Sequence, residues 1–117
     1  KLAALDPASR LHIGEFLGRV FEEGLPDERR RALEMMEAIG PRRGAPSIES
    51  WLAPSTDLEP LLAALDHCMR HPNASRAAAA RRLFDRHERF EVRALAATVI
   101  SEWSGPDPAI SLEDVAD

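Results

Sequence analysis

The sequence predicts an all-α protein of about five helices, on three observations. Ala, Leu, Arg and Glu dominate, and these residues lose least on entering a helix. Apolar residues recur at helical spacing, while alternating runs rich in β-branched residues are almost absent. Proline and glycine fall mainly between the periodic segments, where they punctuate helices. The chain has 117 residues, of which 44% are apolar and 30% charged. A chain of that size buries roughly two thirds of the surface its unfolded form exposes, which predicts a single domain over 1–117.

In residues 8–23, Leu11, Ile13, Phe16, Leu17, Val20 and Phe21 form one broad stripe, which predicts the first helix. Pro7 suits its first turn, and Gly24 suits a left-handed residue that ends it. Leu25 and Pro26 make a tight turn, and Asp27 caps a second helix over 28–39 with Ala32, Leu33, Met36 and Ile39 on one face. Gly40 and Pro41 stop it. Residues 41–56 carry three prolines and one glycine and form the major connection. Within it, Ser47 caps a turn over 48–53 whose Ile48, Trp51 and Leu52 cover apolar surface.

A third helix follows Thr56 or Asp57, with Pro60 in its first turn and Leu58, Leu61, Leu62, Leu65, Cys68 and Met69 in phase. His71, Pro72 and Asn73 break it, and Asn73 or Ser75 caps a fourth helix running to about Arg86 through Ala77, Ala80, Leu83 and Phe84. No glycine or proline lies between Ser75 and Ser104, but the stripe restarts out of step at Phe90, Val92, Leu95, Ala96, Val99, Ile100 and Trp103. That phase slip predicts a bend within 85–89 and a fifth helix after it. Gly105, Pro106 and Pro108 end the fifth helix and open an acidic tail, 105–117, for which disorder is the default state.

The two halves repeat a helix, a proline-containing turn and an Arg/Ala-rich helix. Pro26 matches Pro72, Asp27 matches Asn73, Arg30 matches Arg76 and Ala32 matches Ala78, each 46 residues apart. The preceding helices match at 45, with Ile13 on Leu58, Phe16 on Leu61, Leu17 on Leu62 and Val20 on Leu65. This pattern resembles the HEAT/armadillo class of helical repeats over residues 8–40 and 57–104. Val92, Arg93 and Ala96 add a partial echo of a Val-Arg-x-x-Ala core. The resemblance implies two HEAT-like helical hairpins plus a closing helix; the alternative is an irregular five-helix bundle.

Several function classes are excluded on this reading. A single cysteine, Cys68, rules out an intramolecular disulfide and a Cys-rich zinc module. No apolar run approaches a membrane span and the first residues lack a signal-peptide core, so a cytoplasmic protein is expected. Fourteen arginines against one lysine, with nineteen alanines, suggest a GC-rich bacterial genome. His67 and His71, at i and i+4, could face one metal, but a third ligand is missing and Cys68 falls on the apolar stripe. No metal or other cofactor is expected. The serines sit in caps and loops without a nucleophile elbow, and no glycine cluster cradles a phosphate, so no enzyme activity is expected.

Charge is segregated within a chain of net charge −5. Between Ser75 and Arg93, six arginines face three carboxylates. With Arg30 matched to Arg76, this predicts a basic ridge of Arg30, Arg76, Arg82, Arg86 and Arg93. No aromatic stacking platform is expected among these arginines. Trp51, Ile110 and Leu112 lie outside the helical stripes and are candidate apolar contacts. Together these features predict a non-catalytic protein–protein interaction module, an adaptor or regulatory subunit of a larger bacterial assembly. The alternative is a nucleic-acid-associated accessory subunit that sets an Arg-rich helix face on phosphates.

Overall fold

The computed structural model describes residues 7–103, with side chains from 12 onward. Five α-helices follow in order among them: α1 (Pro7–Glu23), α2 (Pro26–Ile39), α3 (Leu58–Arg70), α4 (Ala74–Arg86) and α5 (Phe90–Glu102). Two 3-10 turns, Pro41–Arg43 and Ile48–Trp51, lie between α2 and α3, and the described residues contain no strand. The expected all-α fold of about five helices is therefore the observed one. Contacts divide the chain into two units, 1–51 and 52–117.

In the first unit α2 packs along α1 after a two-residue link. Its buried apolar side chains are Leu17 and Phe21 of α1, Ala32, Leu33 and Met36 of α2, and Ala45 and Ile48 beyond. The start of α2 differs from the expected cap at Asp27. Pro26 already occupies the first helical position, and the Glu28 carboxylate accepts the Leu25 N–H at 2.9 Å. Asp27, inside the first turn, pairs with Arg30 at 3.5 Å. Gly24 is not the left-handed residue expected; positive φ belongs to Gly40 (81°) and Gly44 (98°). Gly14 allows a close approach, since a Cβ there would collide with the carbonyl oxygen of Gly44.

In the second unit α5 packs on both α3 and α4. Leu61, Ala64, Leu65 and Cys68 of α3, Ala77, Ala80 and Leu83 of α4, and Val92, Ala96 and Val99 of α5 are buried. Small side chains along α4 suit close helix packing at interior density. Asn73 is the cap of α4, its side-chain oxygen accepting the Arg76 N–H at 2.8 Å. The predicted bend is real: residues 87–89 separate α4 from α5, with His87 Nδ1 accepting the Arg89 N–H at 3.1 Å.

One device recurs in both units. An arginine in the first turn or so of a helix reaches back across the link and donates to a carbonyl at the end of the preceding helix. Arg29 Nε donates to Phe21 O at 2.7 Å, and its Nη2 to Glu22 O at 3.5 Å. Arg76 Nη1 donates to His71 O at 2.6 Å, and Arg93 Nε to Phe84 O at 2.9 Å. The last four carbonyls of any helix lack intrahelical donors, so each arginine supplies a charged donor where one is owed. Arg29 and Arg76 are themselves buried.

Replacing Arg29 or Arg76 by Ala should therefore cost about 1.5–3 kcal/mol in urea unfolding, the scale of a charged hydrogen bond. Arg30→Ala, at an exposed site, should stay within about 0.5 kcal/mol of wild type.

Candidate functional site

The predicted ridge divides on inspection. Arg82 and Arg86, one turn apart on α4, are exposed and make no ion pair or hydrogen bond among the described residues. Arg81 pairs with Asp85 at 3.2 Å and Arg89 with Glu91 at 3.4 Å. Arg93, although exposed, spends its Nε on the Phe84 carbonyl. Arg30 is exposed but paired with Asp27. Arg76 departs furthest from the expectation. It is only 6% exposed and turned to the His71 carbonyl, so it presents no guanidinium to a partner. Arg30 and Arg76, 46 residues apart, thus differ in burial, and the buried arginine of α2 is Arg29.

Aromatic rings do accompany these arginines, contrary to expectation. The guanidinium carbons of Arg81 and Arg93 lie over the Phe84 ring, 5.6 and 5.3 Å from its centroid. Phe90, at the first position of α5, is 80% exposed. Both fall on apolar stripes in the sequence, a spacing that does not separate the exposed Phe90 and half-buried Phe84 from core residues. Pro54, Arg86, His87, Glu88 and Arg89 line a cleft of about 290 Å³. α4 thus carries two exposed arginines without an ion pair or hydrogen bond among the described residues, and α5 opens on a large apolar ring held in water.

Trp51 is not a free apolar contact. Its Nε1 donates to Glu22 Oε2 at 2.9 Å and its ring lies 4.6 Å from Phe21, tilted by 58°. Gly18 leaves room for that ring. Ile110 and Leu112 lie outside the described residues. His67 and Cys68 are fully buried, with the His67 and His71 rings 4.6 Å apart. Among the described residues no three His, Cys, Asp or Glu side chains are grouped to hold a metal ion. No helix there is long and apolar enough to cross a membrane.

A second surface was missed from the sequence. In the first unit a groove of about 450 Å³ runs between α1 and α2. Leu17, Val20 and Ala32 contribute to its lining, together with Phe16 (62% exposed) and Met35 (45%). The available signal was the width of the α1 stripe: Phe16-Leu17 and Val20-Phe21 are adjacent pairs, more apolar surface than one buried face uses. Comparison with protein-family models, curated proteins and solved structures finds no match to this chain.

Glu91 gives the α4–α5 corner a pH dependence. Its own backbone N–H at the start of α5, and then the Arg89 guanidinium, hold its carboxyl below the usual carboxylate range. A carboxyl depressed in the folded state contributes stability above its unfolded pKa and loses it as pH falls through the folded value. The stability difference between wild type and Glu91→Gln, read from urea midpoints across pH, should be largest near neutrality and close in acid.

Proposed function

We propose that this chain is a non-catalytic protein–protein interaction module, a cytoplasmic adaptor or regulatory subunit of a larger bacterial assembly, built as HEAT-like helical hairpins. The observation that carries the reading is Phe90, 80% exposed at the start of α5, together with Arg82 and Arg86, exposed on the preceding helix and without an ion pair or hydrogen bond among the described residues. Aromatic rings and arginines are the side chains that concentrate energy in protein interfaces. The partner these side chains suit is a protein segment bearing carboxylates beside an apolar side chain. The helical-repeat part of the reading has the α1–α2 hairpin and the recurrence of an arginine bridge at the starts of α2 and α4 in its favour; against it, α5 rather than α3 is the helix packed on α4.

A second reading has the exposed ring in its favour. Phe90 beside arginines also suits a base stacked over a phosphate contact, as in an accessory subunit on nucleic acid. Salt separates the two, because phosphate contacts weaken steeply with ionic strength.

The test is capture from a bacterial lysate by the tagged full chain, with and without nuclease, over a salt series. A defined protein that survives nuclease, and that Arg82→Glu/Arg86→Glu and Phe90→Ser each lose, is the expected result. Capture abolished by nuclease would move the assignment to nucleic acid. Capture unchanged in both variants would overturn the α4–α5 corner as the contact. Both variants should unfold at the wild-type urea concentration within error, since the replaced side chains are exposed.

A further inference from the structure

The α1–α2 groove has a charge order that selects an occupant. The link after α1 folds α2 back, so residues whose positions mirror one another across it face each other along the groove. Next to the link stand Glu23 and Glu28; one turn on stand Arg19 and Arg31; at the far end stand Phe16 and Met35. From Glu23 to Phe16 is about 10 Å at 1.5 Å per residue, roughly two turns of a docked helix. Arg19, Glu23 and Arg31 form no ion pair or hydrogen bond among the described residues. Arg19 and Glu23 stay unpaired although their i, i+4 spacing would allow a bridge.

We infer that this groove receives an amphipathic helix of a partner protein that sets an apolar side chain between Phe16 and Met35, a carboxylate one turn along against Arg19 and Arg31, and a basic side chain one turn further against Glu23 and Glu28. An apolar floor between two helices, rimmed by charge, is the geometry in which helices dock into grooves. Two other occupants fit less well. End-to-end antiparallel pairing of two copies would set Arg19 and Arg31 of one copy on those of the other. The chain's own segment 105–117 has no basic residue to meet Glu23 and Glu28. The site deepens the interaction-module reading by naming a partner chemistry on a different surface. It is probed without Arg82, Arg86 or Phe90, so either site can fail while the other stands.

The experiment uses two synthetic helical peptides of about eighteen residues. One carries Leu, Glu and Lys in successive turns along one face; the other has Glu and Lys exchanged. Binding to the full chain is measured by calorimetry at low salt. The Leu-Glu-Lys order should bind at least about tenfold tighter than the exchanged order. Arg19→Glu/Arg31→Glu should abolish or invert that preference, and Phe16→Ser should weaken both peptides. Equal affinity for the two orders, or a preference that survives the double reversal, would overturn the inference. So would self-association of the full chain, read by sedimentation and lost in Phe16→Ser, which would give the groove to a second copy. Tighter peptide binding after deletion of 105–117 would likewise reassign it to the chain's own segment.

Discussion

A hydrogen bond from an arginine early in one helix to a carbonyl at the end of the helix before it spans three of the links between successive helices. A helix end leaves carbonyls that water normally satisfies. When the next helix folds back over that end, water is displaced and a donor must take its place. A guanidinium suits the task, because it stays charged at any relevant pH and carries several donors on a long, packable stem. Arg29 meets that requirement at a buried site and Arg76 at a half-buried one, while Arg93 makes the same kind of bond at an exposed site.

The same residue type serves two purposes, and position within the turn decides between them. Arg29 is buried and bonded while its neighbour Arg30 is exposed. On α4, Arg76 is turned inward while Arg82 and Arg86 face water. With six arginines against three carboxylates between Ser75 and Arg93, excess charge remains after the structural bonds and local ion pairs are made. That excess includes Arg82 and Arg86, both exposed. Neither unit has the apolar area to cover every large side chain, so Phe16, Met35 and Phe90 remain at the surface.

Close approach is the other constraint on the first unit. Gly14 accepts the Gly44 carbonyl against α1, and Gly18 accepts the edge of Trp51. These contacts fix the segment after α2, with Trp51 anchored to Glu22 and Phe21. The face of α1 carrying Phe16 and Val20 is left to line the groove with Ala32 and Met35.

Local chemistry settled the number, order and approximate ends of the helices. Periodicity, the Asn73 cap, the proline-bearing links and the phase slip near His87 all act within a few residues, so all are readable in one dimension. The same local rules also misplaced details, such as the cap of α2 and the left-handed glycine, where more than one residue could meet the backbone's need. Tertiary structure alone decided which apolar and charged side chains remain available. Phe16, Phe84 and Phe90 look like core residues by spacing, and Arg30 and Arg76 look equivalent by alignment. Burial, however, depends on what the folded chain places against each side chain, and a helical stripe wider than its partner leaves one edge in water. A shift of one residue rotates a helical side chain by about 100°, which is enough to turn a surface arginine into a buried one.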